Sequence, residues 1–479
     1  MAVPFLQTTT QKAYESFLGE WPGYGATAEL DALRQREYAR LDAQDQVYLD
    51  YTGGSLYADG QLHDHMALLQ RGVFGNPHSS NPTSRAATEL DEHAREYVLR
   101  YFNASPEEYV AIFTLNASGA LKLVGESYPF GPGSRYLLTF DNHNSVNGIR
   151  EFARVRGAEV TYVPVVPPDL RADTAFLREA LHAADPHAHN LFAYPAQSNF
   201  SGVQHPLEWI GEAQSLGWDV LLDAAAFAPT NVLDLNRWKP DFVDLSFYKM
   251  FGYPTGVGCL IARRTALAKL QRPWFAGGTI EIASVQGQGH FLHEGVAGFE
   301  DGTINYLILP AVEIGLRHLE SVGVPLIHER VMCLTGWLID QLMALRHANG
   351  RPLIRLYGPA DVIQRGGTVT VNFYDPDGHL MDWRWIEQQA NQVNISLRTG
   401  CFCNPGAGEV INGLTAEDMA PHFQNHDRMT FQEFITVMDG KAAGAVRVSL
   451  GIASNFEDVN RFVEFAKSLL NQLATPWAD

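Results

Sequence analysis

Cysteine is scarce in this 479-residue sequence, which contains four. That number is far too small for a fold held together by disulfides. Cys259 and Cys333 stand alone, whereas Cys401 and Cys403 are separated by one residue in the segment R-T-G-C-F-C-N. The sequence also lacks an apolar run of about 18 residues, so we expect no transmembrane helix. Its N-terminus lacks a basic stretch followed by an apolar one, so we expect no secretory signal.

Basic side chains are also scarce relative to acidic ones. The sequence has 35 lysines and arginines against 54 aspartates and glutamates, which gives a formal net charge of −19. So acidic a surface repels phosphate backbones and anionic lipids, and we therefore expect neither nucleic acid nor a membrane as a partner. With 46% hydrophobic residues, the chain is too apolar to be disordered. These features predict a cytoplasmic globular protein of two or three domains.

Short apolar runs alternate with helical patterns through the first two thirds of the chain. Residues 1–45 have the apolar spacing of helices. Predicted strands follow at 47–51, 109–114, 136–140, 160–165, 190–195, 218–223, 242–246 and 257–261. Continuous apolar strands that alternate with helices are typical of a mostly parallel sheet buried on both faces. We therefore predict an N-terminal helical segment at 1–45 and a large α/β domain at 46–305.

From about residue 306 the pattern changes. Two long amphipathic helices precede a pair of strands and a closing helix, with the strands predicted at 368–373 and 445–450. This order predicts a smaller α+β domain at 306–479. Periodicity is weak over residues 404–443, which predicts a long surface excursion there.

Polar residues after the predicted strands mark the place to look for a ligand, because parallel α/β sheets bind ligands at the carboxyl ends of their strands. Ser118 and Gly119 open a helix, where free backbone amides form an anion site, although small residues at such a turn are often structural. Asp223 ends a buried strand and needs a partner, which would be a protonated heterocycle, a helix N-terminus or a buried cation. Lys249 leaves a core strand, and desolvation would make its amine nucleophilic.

The order of these features is more specific than any one of them. An anion turn, then His143, then Asp223, and Lys249 26 residues later suit pyridoxal phosphate. The helix N-terminus would bind the phosphate, Asp223 would hold the pyridine nitrogen protonated, and Lys249 would form a Schiff base. His143 would stack on the ring or be an ordinary core or surface histidine.

Eight segments carry a family resemblance, in order between about residues 47 and 460: YLDYTGGSLY, GNPHSSNPTS, DNHNSVNGIRE, LLDAAAFAPTNVLDL, DFVDLSFYKMFGYPTGVGCLI, FEDGTINY, RTGCFCNPGA and GAVRVSLGIASNFEDV. The chain resembles the class V branch of the fold-type I pyridoxal-phosphate enzymes, which includes the cysteine desulfurases. It is most similar to the desulfurase-like N-terminal domain of the eukaryotic molybdenum cofactor sulfurases. The resemblance implies an aminotransferase-like α/β fold, in which the large domain has a mostly parallel seven-stranded sheet.

The resemblance implies a role for each matching residue around the cofactor. Lys249 of the S-F-Y-K motif would carry the cofactor, Asp223 would pair with the pyridine nitrogen, and His143 would stack on the ring. Asn199 matches a residue near the cofactor phenolate oxygen and the substrate carboxylate.

Phosphate contacts follow from the same resemblance. They are implied for Ser118 and Gly119, with assistance from Ser246 and Tyr248. In related enzymes an E-x-G-T segment of the second subunit also reaches the phosphate, and its threonine corresponds to Thr303. The resemblance therefore implies a homodimer with shared active sites.

The resemblance also implies which residues bind the substrate. Arg447 matches the residue that binds the α-carboxylate, for which a bidentate guanidinium is suited, and Arg398 and Asn199 are placed with it. Desulfurases have a cysteine five residues after the arginine of an R-T-G-x-x-C motif, which from Arg398 is Cys403. Cys403 would accept sulfur as a persulfide near positive charge, for transfer to a sulfur acceptor protein. Cys401 would be a resolving thiol or a small apolar group, and we predict no metal site at this pair.

Two departures from the family pattern matter. Most desulfurases have glutamine three residues after the pyridine-binding aspartate, where this chain has Ala226, so the partner of the phenolate oxygen stays unassigned. The eukaryotic sulfurases also have a C-terminal domain that handles molybdopterin, for which a sequence ending at Asp479 has no room. We therefore expect a role in molybdenum cofactor sulfuration to be absent or to need a separate partner.

The leading hypothesis is a pyridoxal-phosphate-dependent cysteine desulfurase or carbon–sulfur lyase that converts L-cysteine to L-alanine. The alternative is a transaminase, epimerase or lyase of specialised amino-acid metabolism in which Cys403 is not catalytic, because a fold does not determine a reaction. A sulfur carrier without enzymatic activity is the third hypothesis. The joint presence of Lys249, Asp223, His143 and Arg447 argues against it.

Overall fold

A computed structural model describes residues 4–77, 79–425, 428–430, 433 and 444–475. The chain begins with helices, as predicted for residues 1–45. They are α1 (Pro4–Glu20), a 3₁₀ helix (Pro22–Thr27), α2 (Glu29–Glu37) and α3 (Arg40–Ala43).

Strands and helices then alternate through the large α/β part of the chain. The first elements are β1 (Val47–Tyr48), α4 (Asp59–Arg71), α5 (Pro82–Tyr101), β2 (Tyr109–Thr114), α6 (Ala117–Ser127), β3 (Arg135–Thr139), α7 (Asn144–Asn147), α8 (Ile149–Val155), β4 (Glu159–Val163), β5 (Val165–Val166), β6 (Arg171–Ala172) and α9 (Thr174–His182). The next elements are β7 (Asn190–Pro195), α10 (Glu208–Ser215), β8 (Trp218–Asp223), α11 (Leu235–Trp238), β9 (Phe242–Ser246), α12 (Phe247–Phe251), β10 (Gly258–Arg263), α13 (Arg264–Leu267), β11 (Ile280–Ala283), β12 (His290–Leu292) and a 3₁₀ helix (Gly295–Phe299).

The C-terminal part is mixed α and β. Its elements are α14 (Pro310–Val322), α15 (Val324–Ala344), β13 (Ile354–Tyr357), β14 (Thr368–Phe373), α16 (Trp383–Gln392), β15 (Ile395–Ser396), β16 (Arg398–Gly400), α17 (Pro405–Ile411), α18 (Ala416–Asn425), β17 (Ala445–Ser449) and α19 (Phe456–Ser468). Two helices therefore occupy the start of the predicted surface excursion at 404–443, and several of its later positions lie outside the described residues. Within the described residues no single helix is long and apolar enough to cross a membrane. The pair α14 and α15, bent by 68° at their junction, is long and apolar enough only when the two helices are taken together.

A seven-stranded sheet organises the large part, in the order β2-β10-β9-β8-β7-β3-β4. Strand β10 is antiparallel to both of its neighbours, and the other four pairs are parallel. This confirms the prediction of a mostly parallel seven-stranded sheet. Alternate residues of each strand enter two apolar clusters on opposite faces, as Ile112 and Phe113 of β2 do. Burial on both faces explains why these strands are apolar without interruption.

The predicted first strand, 47–51, is shorter in the structure. Strand β1 ends at Tyr48, because the Gly53 amide donates to the Asp50 carbonyl, 3.0 Å away, and turns the chain. Strands β13, β14, β17 and β16 form a separate antiparallel sheet of four strands. Asp50 pairs with Ser449 of β17 in an isolated bridge, so this turn lies beside the C-terminal sheet.

Two buried arginines fasten the N-terminal helices to the C-terminal part. Arg34 of α2 contacts Asp458 of α19 at 2.5 Å, and Arg330 of α15 contacts Asp31 of α2 at 2.5 Å. Both guanidinium groups are almost fully buried. Arg34 also pairs with Asp42 at 2.7 Å, whereas among the described residues Asp31 is the carboxylate partner of Arg330, so its removal would leave a buried charge unpaired. The domain boundaries at 45 and 305 stay predictions.

A close backbone approach at Gly258 predicts a stability effect. A Cβ at Gly258 would overlap the backbone of Asn116 and Ala117 at the start of α6. We expect Gly258→Ala to lower the free energy of unfolding by about 1–3 kcal/mol because this backbone cannot yield. Thermal or denaturant unfolding measures the change. The matched control is Gly211→Ala in α10, where a Cβ meets nothing within 4 Å and alanine favours the helix; equal destabilisation of both variants would contradict the prediction.

Candidate active site

The carboxyl ends of β2, β3, β7, β8 and β9 surround a cavity of about 390 Å³. The sequence predicted cofactor contacts for seven of the residues that line it. These are Ser118, His143, Asn199, Asp223, Ser246, Tyr248 and Lys249. Ala226, the departure from the desulfurase pattern, also lines the cavity. The topology therefore gathers side chains that are up to 131 residues apart in sequence.

The start of α6 forms the anion end of the cavity. Asn116 caps the helix, and its Oδ1 accepts a hydrogen bond from the Gly119 amide at 2.9 Å. Gly119 is therefore already bonded and lies outside the main cavity, whereas Ala117 and Ser118 begin the helix and have no intrahelical carbonyl to bond. Ser118 Oγ lies 2.6 Å from Ser145 Oγ, a cavity residue that sequence reasoning missed. An anion at this end would therefore meet the amides of Ala117 and Ser118 and two hydroxyls.

His143 follows β3 and faces the same cavity. Its Nδ1 accepts a hydrogen bond from the Ser145 amide at 3.1 Å, so the neutral ring carries its proton on Nε2. Burial lowers the pKa of His143, and the nearby Lys249 and Arg447 act in the same direction while Asp223 opposes them. A neutral imidazole with a fixed tautomer is suited to stacking on an aromatic ring.

Asp223 ends β8 at the floor of the cavity. Its Oδ1 accepts a hydrogen bond from the Ala225 amide at 2.9 Å. The neighbouring strand β9 holds Asp244 in register with it, and Asp244 also lines the cavity although sequence reasoning did not identify it. Neither oxygen of Asp244 accepts a hydrogen bond from a residue that the structure describes. The pattern D-F-V-D-L-S was the available signal, because a carboxylate inside an apolar strand requires a reason.

Lys249 lies in the short helix α12 that follows β9. Burial lowers the pKa of its amine, Arg447 acts in the same direction, and Asp223 opposes the effect. A desolvated amine that is neutral at lower pH than an ordinary lysine is a better nucleophile. This is the state that a Schiff-base lysine requires.

Asn199 joins the cavity to the loop that carries the cysteine pair. Its Nδ2 donates to the Phe402 carbonyl at 2.8 Å, and its Oδ1 accepts from Asn404 Nδ2 at 2.9 Å. Its amide group is therefore occupied in positioning this loop. Gln197, two residues earlier and missed by sequence reasoning, lines the cavity beside Ala226, and its Oε1 accepts from Gln204 at 3.1 Å.

Arg447 lies behind Asn199 and outside the residues that line the cavity. It donates to the Asn199 carbonyl at 3.0 Å and to Asp50 Oδ1 at 3.0 Å. Arg398, half-exposed, donates to the other oxygen of Asp50, with its Nε 3.0 Å away. Asp50 therefore pairs with both arginines that the sequence predicted for substrate binding, and the L-D-Y-T-G-G segment was the only signal for it. The Nε of Arg447 is buried and has no hydrogen-bond partner among the described residues.

Cys403 lies on a turn next to the cavity. Phe402 and Cys403 both have left-handed backbone conformations, with φ of 55° and 56°, which cost roughly 1–2 kcal/mol each for residues with a side chain. The Cys403 carbonyl accepts a hydrogen bond from the Asn144 amide at 2.7 Å, directly after His143. The thiol is exposed, and its electrostatic interaction with Lys249 raises the pKa of that amine.

Cys401 has different surroundings. Its side chain is exposed and lines a second, mostly apolar cavity of about 390 Å³, with Phe200 and Met419 among its other walls. Phe402, between the two cysteines, is buried against Phe200 with ring centroids 5.3 Å apart. The turn therefore directs Cys401 to this second cavity, whereas the backbone of Cys403 is bonded to Asn144 beside the main one.

Thr303 and Gly119 line a third cavity, of about 680 Å³, which shares Leu115, Asn116 and Gly256 with the main one. Within its own chain Thr303 therefore lies beside the anion end rather than in it. Its hydroxyl accepts from Asn76 at 3.4 Å.

These residues fit pyridoxal phosphate. A helix N-terminus and hydroxyls suit its phosphate, a strand-end carboxylate suits its ring nitrogen, and a buried amine suits its aldehyde. Asp223 and Lys249 line the same cavity, so a ring with a basic nitrogen and an aldehyde meets both groups at once. Fold and site together define a fold-type I pyridoxal-phosphate enzyme.

Comparison with known proteins gives the family. Residues 47–462 match the family described as Aminotransferase class-V, and the chain belongs to that family. Molybdenum cofactor sulfurases are similar to it: the protein from Solanum lycopersicum is 36% identical over 95% of this chain and 59% of its own length. The protein from Bos taurus is 37% identical over 92% of this chain and 52% of its own length. The chain therefore spans little more than half the length of these relatives.

A solved structure supports the fold. The apo structure of a cysteine desulfurase from Thermococcus onnurineus NA1 superposes with a TM-score of 0.74 over 92% of this chain and 98% of that chain. The two sequences are 23% identical, so this likeness concerns the fold alone.

The lowered pKa of Lys249 predicts the pH dependence of cofactor attachment. The neutral amine is the nucleophile, so the rate should rise with pH and reach half its maximum below the usual lysine value of 10.5. Asp223 raises this pKa, and Asp223→Asn should therefore move the midpoint further down. Absorbance after mixing the apoenzyme with pyridoxal phosphate measures the rate. Asp219→Asn, the same change at the far end of β8, is the control, and a midpoint at or above 10.5 would contradict the prediction.

Proposed function

We propose that this chain is a cysteine desulfurase that converts L-cysteine to L-alanine and retains the sulfur as a persulfide on Cys403. One observation carries the proposal: hydrogen bonds from Asn144 and Asn199 hold the turn 402–404 so that the Cys403 thiol interacts electrostatically with Lys249 and Arg447. A transaminase or epimerase has no need for a thiol in this position. The molybdenum cofactor sulfurase names among its relatives support a sulfur-transfer reaction.

Residues of the main cavity would hold the cofactor. We assign the phosphate to the amides of Ala117 and Ser118, the ring nitrogen to Asp223, and one ring face to His143. Gln197 is the residue best positioned for the phenolate oxygen that Ala226 leaves without a partner, because it lines the cavity beside Ala226. When bound, pyridoxal phosphate supplies an electron-withdrawing ring that stabilises negative charge at the substrate Cα.

Two residues would carry out the proton and sulfur transfers. Lys249, whose pKa is lowered by burial, takes the Cα proton of the substrate and later returns a proton to the product carbon. The Cys403 thiolate attacks the sulfur of L-cysteine, the carbon–sulfur bond breaks, and the electron pair remains with the carbon skeleton that becomes alanine. The balance is one L-cysteine and one thiol in, and one L-alanine and one persulfide out. An exposed thiol can pass its sulfur on, so we propose a sulfur acceptor protein as partner.

Arg447 would bind the substrate carboxylate. Its Nε has no acceptor among the residues that the structure describes, while its two terminal nitrogens donate to Asn199 and Asp50. Asp50 also pairs with Arg398, so an incoming carboxylate would enter a cluster of two cations and one anion. Net positive charge at this point favours an anionic substrate group.

We also propose a homodimer. Thr303 lines the cavity next to the anion end of its own chain. In a dimer, a second subunit would reach the phosphate site through this neighbouring cavity and complete it. The β11–β12 hairpin exposes the large apolar side chains of Ile282, Val285 and Phe291, as a surface covered by another chain would. We assign the protein to the cytoplasm, where thiols such as the exposed Cys401 and Cys403 stay reduced.

The identity of the sulfur carrier can be tested directly. After incubation with L-cysteine, we expect mass spectrometry of the peptide containing Cys401 and Cys403 to find one added sulfur on Cys403. Cys403→Ser should reduce sulfide release in the presence of a reductant to background because no other thiol adjoins the cavity among the described residues. Cys401→Ser is the matched control and should retain release. Turnover of an amino acid without sulfur on Cys403 would favour the transaminase, epimerase or lyase alternative.

The carboxylate role of Arg447 predicts a specific kinetic change. Lysine cannot pair with Asp50 and Asn199 and still offer a planar group to a carboxylate. We expect Arg447→Lys to raise the KM for L-cysteine about tenfold or more, the worth of one hydrogen bond between charged groups. Arg398→Lys, at a half-exposed position, should raise it less. Steady-state sulfide release measures both, and an unchanged KM in Arg447→Lys would exclude the assignment.

A further inference from the structure

A second carboxyl group lies under the cofactor cavity, and the mechanism above does not use it. Asp244 is fully buried in β9 and lines the cavity on the same sheet face as Asp223. Its register partner on β8 is Asp223, and its partner on β10 is the apolar Leu260. Of the charged groups on the elements packed against it, those that act on Asp244 are Asp223 and Lys249.

Asp244 lies in register with Asp223 on the neighbouring strand, so the negative charge of Asp223 disfavours a second negative charge on Asp244. Asp223 accepts a hydrogen bond from the Ala225 amide, which stabilises its anionic form. Neither oxygen of Asp244 accepts such a bond from any described residue. Burial raises the pKa of Asp244 well above its ordinary value, Asp223 adds to the rise, and Lys249 opposes it. The proton of the pair therefore belongs on Asp244.

We propose that Asp244 is a neutral carboxylic acid that donates a hydrogen bond to Asp223 from the side away from the ring and so positions that anion toward the cofactor nitrogen. Asp244 is then a positioning residue that acts through Asp223. The proposal rests on the assignment of the cavity to pyridoxal phosphate, but not on the desulfurase reaction or on Cys403.

The bond would serve two purposes. A donor on the far side leaves Asp223 one oxygen for the ring and one for its protein partners, so the carboxylate has a single orientation. The bond also gives the buried Asp223 carboxylate a second donor beside the Ala225 amide, which offsets part of the cost of burying it. An ionised Asp244 would do neither, because it could not donate a bond and would repel Asp223.

The protonation state can be measured without cofactor or substrate. Infrared difference spectra of the apoprotein at neutral pH, wild type minus Asp244→Asn, should contain the C=O stretch of a protonated carboxylic acid. Asparagine has nearly the same shape and is neutral, so it is the least disruptive replacement. A carboxylate band in place of the acid band would overturn the proposal. This measurement does not depend on turnover, so its result and a failure of the desulfurase assignment remain distinguishable.

The donor role can be measured on the holoenzyme with two variants. Asp244→Asn keeps a neutral donor, so the dissociation constant for pyridoxal phosphate and the pH at which its visible band titrates should stay near the wild-type values. Asp244→Val removes the donor and should weaken cofactor binding about tenfold, as expected for a lost bond to a charged acceptor.

Each other outcome contradicts the proposal. If the Asp244→Val variant binds the cofactor as tightly as the wild type, the hydrogen bond from Asp244 to Asp223 contributes nothing to cofactor binding. If asparagine weakens binding as much as valine does, or lowers the pH at which the visible band titrates, a negative charge at Asp244 was required. Should the valine variant not fold, as thermal unfolding would reveal, the asparagine variant and the infrared spectra still decide.

Discussion

The partial burial of Lys249 at the cavity is the constraint on which the rest of this site depends. A charged amine is costly to bury, so burial lowers its pKa and makes the neutral, nucleophilic form accessible at lower pH. The same burial would be unfavourable for Asp223 unless it has donors, and it obtains one from the Ala225 amide. The floor of the cavity is therefore a small set of groups whose charges are adjusted to one another. Asp244 belongs to this set because its position in β9 gives it no other partner.

The second requirement is that a thiol from the C-terminal part reach this floor. Three asparagines meet that requirement: Asn144 and Asn199 donate to backbone carbonyls of the 402–404 turn, and Asn404 donates to Asn199. Their bonds offset the cost of two successive left-handed residues with side chains, Phe402 and Cys403. Strain of this kind persists where the surroundings determine the conformation. The turn also separates the cysteines, so that Cys403 adjoins the cofactor cavity and Cys401 an apolar one.

Much of the fold followed from apolar periodicity. Strands buried on both faces are apolar throughout, and seven of the eight strands predicted up to residue 261 coincide with observed strands of the large sheet to within two residues at each boundary. The prediction was wrong at the end of the first strand, because the turn at Asp50 depends on backbone hydrogen bonds that periodicity does not report. Asp223 and Lys249 were predictable as candidate cofactor residues because each lies at or just after the end of a strand. Gln197, Ser145, Asp50 and Asp244 were not, since their significance depends on neighbours distant in sequence.

By itself the sequence determined the mostly parallel sheet, the class of cofactor and the identity of Cys403 as the candidate thiol. Apolar runs and local motifs carry that information, because each of them lies within a short segment of the chain. The tertiary structure alone decided that Asp50 links Arg398 with Arg447, that Asn199 holds the cysteine turn, and that Asp244 lies in register with Asp223. Such pairings depend on which strands become neighbours and on which side chains lose contact with water. Those outcomes are set when the whole chain packs, and no single segment contains them.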